Sequence, residues 1–143
     1  MFGTVVVGTD GSPRAARAVG EAVDLAKSEG ARLHIVVAAS ERQIHLESVQ
    51  SSARAEKVDL RRVAEQVAER AVREAEGKGV QADYSVRAGD PAEVLIEAAE
   101  AEQADAIVVG NKGMGSAKRF FLGSVPNKVS QQAPCSVVIV RTD

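Results

Sequence analysis

The stretch "TVVVGTDGSPRAARAVGEAV", Thr4 to Val23, sets the class of fold. Thr4 to Gly8 has the length and the β-branched, apolar composition of a buried strand. Asp10-Gly11-Ser12-Pro13 then breaks the run. Ser12 is placed to cap a helix whose first residue is Pro13, where the missing N–H costs nothing. Ala15, Ala18, Val19, Ala22, Val23 and Ala26 recur on one face of that helix, and their small size lets it lie close to a sheet. Gly30 is suited to end it in a left-handed conformation.

The same alternation continues outward from this unit. Leu33 to Ala38 (LHIVVA) reads as a second strand. Residues 39–50 are polar and lack clear periodicity, so a loop is expected there. A long helix follows to about Glu76, with Val63, Ala64, Val67, Ala68, Ala71, Val72 and Ala75 as its apolar stripe. Arg61–Glu65, Glu69–Arg73 and Arg70–Glu74 are i,i+4 pairs on its wet side. Ala82 to Arg87 reads as a third, more polar strand at a sheet edge. Asp90-Pro91-Ala92-Glu93 reads as a capping box that opens a helix to about Glu102. Ala106 to Val109 is a fourth strand, Ser124 to Gln132 a short helix and Ser136 to Arg141 a last strand.

Strands alternating with helices imply an α/β fold: a parallel sheet covered on both faces and joined by right-handed crossovers. No linker, repeat or low-complexity stretch divides the chain, so a single domain over residues 1–143 is expected. In such sheets ligands bind outside the carboxyl ends of the strands, where the strand order reverses. Two loops have suitable chemistry: Thr9–Ser12 after the first strand and Gly110–Gly123 after the fourth.

Composition narrows the function. Apolar residues make up 45% and charged residues 27%, but aromatics only 3%, which argues against base-stacking nucleic-acid modules. A formal net charge of -2 offers no general attraction to nucleic acid or to an anionic membrane. Cys135 is the single cysteine, so no internal disulfide can form and a reducing compartment fits. Neither a signal peptide nor a membrane span is expected, which points to the cytoplasm. From Ala106 to Thr142 there is no acidic residue, while Lys112, Lys118, Arg119, Lys128 and Arg141 fall there. That bias coincides with the glycine cluster of "VVGNKGMGSAKRFFLGSV", Val108 to Val125.

The glycine cluster matches none of the commonest phosphate motifs. A Walker A loop starting at Gly110 fails because Ser116 follows Gly115 where lysine is required, and the dinucleotide fingerprint fails at Lys118. There is no S-G-G-x-D-S, no H-x-G-H and no G-x-S-x-G. What remains is G-x2-G-x9-G-S: Gly110, Gly113 and Gly123-Ser124. Gly110 would let a ligand approach the end of a strand. Gly113 would allow a positive φ, so that successive N–H groups converge on an anion. Gly123-Ser124 opens a helix, where free N–H groups and the dipole favour phosphate. The Ser124 hydroxyl would either donate to that phosphate or cap its own helix.

This spacing resembles the nucleotide-binding branch of the universal stress protein family, and so do the opening VVVGTDGS, the Asp90-Pro91 region and the closing APCSVVIVR. The resemblance implies a Rossmann-like, adenine nucleotide alpha hydrolase-like three-layer sandwich, with a five-stranded parallel sheet in the order 3-2-1-4-5. It implies ATP, or AMP, ADP or cyclic AMP, in the cleft between the first and fourth strands. Thr9 and Asp10 would meet the adenosine part, with Asp10 also the expected contact for nucleotide-bound Mg2+; an ordinary Asp-Gly turn is the simpler role for Asp10. Ala38 would wall the adenine pocket, although the family more often has a larger aliphatic there. Val109 and Gly110 would flank the ribose. Gly113, Gly123, Ser124 and Val125 would hold the phosphates. Lys112, Lys118 and Arg119 would add charge or be solvated. The resemblance also implies a homodimer through Ser136–Val140, a strand that would otherwise be a flat apolar edge.

Turnover has less support. Hydrolysis needs a positioned water and a group to orient it. No carboxylate or histidine lies within Ala106–Thr142. His34 sits inside the second strand, as a packed or edge residue, and His45 lies in the polar loop with no metal-ligand spacing between them. The expectation is a nucleotide-dependent stress-response sensor or switch. The alternatives are a slow ATPase or autophosphorylating protein, a cyclic AMP binder using the same cleft, and a structural dimer.

Overall fold

A computed structural model of the chain describes residues 1–39, 60–112 and 122–143. Five parallel strands form one sheet: β1 (Thr4–Gly8), β2 (Arg32–Ala38), β3 (Ala82–Arg87), β4 (Ala106–Gly110) and β5 (Ser136–Val140). Their order is β3-β2-β1-β4-β5, as the resemblance implies. Four helices join them: α1 (Pro13–Glu29), α2 (Leu60–Gly77), α3 (Pro91–Ala101) and α4 (Ser124–Gln132). The loop expected over residues 39–50 lies outside the described residues except for Ala39, as do His45, Gly113, Lys118 and Arg119.

The elements form for the reasons their residues suggest. Ser12 caps α1 by accepting from the Ala15 N–H at 3.2 Å. Gly30 ends α1 at φ 66°, and its N–H donates back into the last turn. Asp90 caps α3 by accepting from the Glu93 N–H at 3.1 Å. Only this half of the expected capping box forms among the described residues. The Glu93 carboxylate turns instead to the Lys128 ammonium, 3.0 Å away on α4.

Both sheet faces are covered, which the strand alternation makes visible. Val5, Val7, Leu33 and Ile35 point to the side of α1, packing with Val19, Ala22 and Val23. Val37 on that same face meets Val63, Val67 and Ala68 of α2. Val6, Val36, Ile107 and Val109 point the other way, against Val94, Leu95 and Ala98 of α3 and Val129 of α4. Each fully buried Val or Ile side chain here contributes roughly 1.5–3 kcal/mol. The edges of the sheet are β3 and β5, and β3 is the polar one that the sequence places at an edge.

The order reverses at β1, whose neighbours are β2 on one side and β4 on the other. The chain leaves β1 through α1 on one face and reaches β4 through α3 on the opposite face. A crevice must therefore open above the carboxyl ends of these three strands.

Candidate functional site

A cavity occupies that crevice. The strand ends Gly8, Val36, Ala38, Val109 and Gly110 form its floor. The turn after β1 and the first turns of α1 close one side through Thr9, Asp10, Ser12 and Arg14. Pro91, Val94 and Leu95 of α3 close the other, and Val125 and Pro126 of α4 reach its rim. Thr9, Asp10, Ala38, Val109, Gly110 and Val125 thus come together as the sequence anticipates. Gly123 and Ser124 stand beside Val125 at the start of α4.

The turn after β1 is held by its own side chains. The Thr9 N–H donates to the Val36 carbonyl at 3.0 Å, tying the turn to β2. The Thr9 hydroxyl accepts from the Gly11 N–H at 3.1 Å. Asp10 Oδ1 accepts from the Ser12 N–H at 2.9 Å, so the turn-forming role of Asp10 is real. Asp10 is also the only carboxylate among the described residues that line the cavity.

The start of α4 presents a particular set of backbone donors. Gly123 is the N-cap residue, in extended conformation, with no side-chain cap. Ser124 is therefore the first helical residue and does not cap the helix, which leaves its exposed hydroxyl for another partner. The Gly123 N–H donates to the Asn111 carbonyl at 2.9 Å. Pro126 has no N–H, and the Asn127 N–H donates to the Gly123 carbonyl at 3.1 Å. The N–H groups of Ser124 and Val125 remain as the ones that helix geometry leaves without an intrahelical acceptor.

Two glycines at the floor have packing reasons for being glycine. A Cβ on Gly8 would lie 3.0 Å from Leu95 Cδ2. One on Gly110 would lie 3.1 Å from Thr142 Cγ2. Thr142, more than a ligand, is what a side chain at Gly110 would crowd.

Among the described residues, the cations of the acid-free stretch are matched in space. Lys112 is buried and its ammonium lies 3.0 Å from Asp143 Oδ2. That hydrogen bond, with a second from Asn111, holds the Asp143 carboxyl well below its ordinary 3.8, at about 2. Lys128 pairs with Glu93 at 3.0 Å and Asp90 at 3.5 Å, and chiefly the Glu93 hydrogen bond raises its pKa. Arg141 lies 3.5 Å from Asp143. Acids distant in sequence reach Lys112 and Lys128, and the nearby Asp143 reaches Arg141, so the density of these three cations along the chain overstates the field at the cleft.

His34 is buried on β2, as a packed histidine, with Nδ1 2.7 Å from Asp83 Oδ1 and Nε2 3.0 Å from Ser85 Oγ. His34, Asp83 and Glu102 bring potential ligand atoms within 4.8 Å of one another. The Arg32 guanidinium already supplies the cation there, 2.7 Å from Glu102 and 3.6 Å from Asp83. This cluster is an ion-paired seam between β2, β3 and the end of α3.

A model described as the universal stress protein family matches residues 1–141. The chain belongs to the universal stress protein family. A member from Bacillus subtilis, YxiE, is 33% identical over 99% of this chain and 100% of the relative. A universal stress protein from Thermus aquaticus is 36% identical over the same shares, 99% and 100%. Among solved structures, a universal stress protein in complex with cAMP is similar at a TM-score of 0.73 and 30% identity, covering 99% of this chain and 98% of that one. A family protein from Arabidopsis thaliana with AMP bound shares the fold at a TM-score of 0.74 and 17% identity, covering 99% and 92%. Within this universal stress protein fold, sequence reasoning missed Arg14, Leu95 and Pro126 as cavity residues. Pro126 carried a readable signal, since a proline at the third helical position subtracts one N–H from the start of α4.

Proposed function

We propose that the cavity binds an adenine nucleotide, with ATP as the first candidate and ADP, AMP and cyclic AMP as the others, and that the protein acts as a nucleotide-dependent switch or sensor in the stress response. The observation that carries the reading is the pairing of two surfaces at the point where the strand order reverses. An apolar pocket of Val36, Ala38, Leu95 and Val109 suits a flat heteroaromatic base. The N-terminus of α4, with the N–H groups of Ser124 and Val125, suits a phosphate. The complex of a 30% identical relative with cAMP supports the same ligand class.

In this reading Thr9 and Asp10 meet the adenosine part, Ala38 walls the base, Val109 and Gly110 flank the ribose, and Ser124 and Val125 hold phosphate. Gly123 acts as the N-cap that presents them, and Gly113 would add N–H groups from outside the described residues. Asp10 is also the residue that would meet a nucleotide-bound Mg2+. The proposal is binding without efficient turnover, because the one lining carboxylate among the described residues is engaged in its own turn. The protein would work in the cytoplasm as a homodimer joined through β5; no helix among the described residues is long and apolar enough to cross a membrane.

The experiment is a thermal-shift series with ATP, ADP, AMP and cyclic AMP, paired with mass spectrometry of whatever copurifies. A ligand at 100 times its Kd adds about 2.7 kcal/mol to stability, which is readily seen as a higher Tm. No shift with any of the four at millimolar concentration overturns the proposal.

A further inference from the structure

Asn111 occupies a junction that neither the strand alternation nor the glycine spacing brings to notice. It is the residue after β4, and every polar group it has is engaged. Its N–H donates to the Val140 carbonyl at 2.7 Å, and its carbonyl accepts from the Gly123 N–H at 2.9 Å. Its Oδ1 accepts from the Thr142 N–H at 2.9 Å and from the Thr142 hydroxyl at 3.1 Å. Its Nδ2 donates to Asp143 Oδ1 at 3.3 Å. The neighbouring Lys112, its side chain only 3% exposed, closes the ring by its ion pair with Asp143 Oδ2.

We propose that Asn111 is a positioning residue of the nucleotide site, the joint that holds the N-terminus of α4 in register with the end of β5. The inference rests on the nucleotide-binding reading above and adds to it the part of the chain that aims the phosphate donors. Ser124 and Val125 can hold phosphate only if Gly123 stands at a fixed distance from the strand ends that floor the base pocket. The bond that sets this distance is Gly123 N–H to Asn111 O. Asn111 is in turn fixed by Val140 at the end of β5 and by Thr142 and Asp143 just beyond it, none of which lines the cavity. Thr142 is buried, and the Arg17 guanidinium donates to its carbonyl at 3.5 Å, which anchors the junction to α1 as well.

The amide chemistry explains why asparagine is needed. Two donors from Thr142 demand an oxygen, and the carboxylate of Asp143 demands a donor. Aspartate would meet the first need and repel Asp143. Alanine would leave the Thr142 N–H and the Asp143 oxygen to find other partners. Lys112, which also lines the cavity, meanwhile answers the Asp143 charge inside the fold.

The test compares ATP, which uses both surfaces, with adenosine, which has no phosphate and uses the base pocket alone. Affinities are measured for the intact wild-type chain, Asn111→Ala and Thr142→Val, by calorimetry for ATP and by displacement for adenosine. Asn111→Ala is expected to weaken ATP about tenfold and to leave adenosine within about twofold; tenfold corresponds to about 1.4 kcal/mol. Thr142→Val, which removes one of the two donors and keeps the shape, is expected to move ATP in the same direction by less. If Asn111→Ala does not fold, Thr142→Val carries the test alone. Unchanged ATP affinity in the folded variants overturns the proposal, and so does a parallel loss of ATP and adenosine that tracks Tm. A wild-type chain that binds neither ligand overturns the nucleotide reading as well, so the two failures are separable.

Discussion

Val67 of α2 stands directly over Gly11, its Cγ2 3.0 Å from where a Cβ on that glycine would sit. Gly11 has φ +83°, in the left-handed region, and lies between Asp10 and Ser12 at the mouth of the cavity. Helix α2 therefore buttresses the turn that the nucleotide would touch, although it lines no part of the pocket itself among the described residues.

Gly11→Ala should destabilise the protein twice over, by the left-handed backbone and by contact with Val67. The backbone part costs about 1 kcal/mol or more. Adding Val67→Ala should relieve the contact and leave the backbone cost, so the double variant should be more stable than the sum of the two single changes predicts. Urea midpoints of the four proteins give the answer. Simple additivity would mean that Val67 does not press on the turn.

Acid should loosen the junction around Asp143. Its carboxyl is depressed from 3.8 to about 2, first by the Lys112 hydrogen bond and then by that of Asn111. A folded-state pKa below the unfolded one gives stability that is fully present above the unfolded value and is lost as pH falls through the folded value. The window for Asp143 therefore runs from about pH 4 down to about pH 2. Asp105 shifts in the same direction because it accepts from the N–H groups of Gly3 and Thr4. Urea unfolding at pH 6, 4 and 3 should show falling stability. Asp143→Asn should be less stable at pH 6 yet show a flatter decline below pH 4, whereas an unchanged slope would mean the carboxyl titrates normally.

How much of this was legible in the sequence differs by element. Strand and helix positions followed from β-branched runs and helical stripes because burial on both faces leaves a plain apolar record. Ser12, Pro13 and Gly30 marked the limits of α1 because capping is local chemistry. Gly110 in the cavity floor followed from the strand ends once parallel pairing was assumed, Ala38 followed from the family resemblance, and Gly8 was not anticipated. Charge was misleading for the opposite reason. Lys112 finds Asp143 31 residues away and Lys128 finds Glu93 35 residues away, and neither pairing leaves a periodic trace. Leu95 reaches the pocket as part of an ordinary helix face, so only the crossing of α3 over β1 reveals it. The engagement of the Gly123 N–H by Asn111 is a tertiary bond between two loop residues, which no spacing rule encodes.

Ser124 offers a way to separate backbone from hydroxyl in phosphate binding. It is the first residue of α4, a position where proline is well tolerated. Gly123 before it is already extended, at φ -65° and ψ 168°, the conformation that a following proline requires. Ser124→Pro should thus remove both the N–H and the hydroxyl with little change in Tm. Ser124→Ala removes the hydroxyl alone. ATP affinity is expected to fall for both variants, and by about tenfold more for proline than for alanine, equivalent to about 1.4 kcal/mol. Calorimetry with each purified variant measures it. Equal losses would assign the phosphate contact to the hydroxyl and leave the α4 N–H of residue 124 without a role.

The outer edge of β5 sets the last prediction. Its backbone groups on the side away from β4 meet no further strand among the described residues, and Ile139 is 40% exposed there. An apolar strand with an open edge pairs with another chain unless charge or shape prevents it. Ser136, Val137, Val138, Ile139 and Val140 bring no such charge to the strand. Two copies joined along β5 would cover Ile139 and satisfy the open edge in one step, through the same surface on each. Light scattering of the wild type should give twice the chain mass of 15.0 kDa at micromolar concentration. Ile139→Lys places a charge in the middle of that contact and should shift the population to monomer. The change lies on an exposed side chain, so Tm extrapolated to low concentration should hardly move. A wild-type particle of single-chain mass would reject the β5 dimer outright. A dimer unaffected by Ile139→Lys would move the interface to another face.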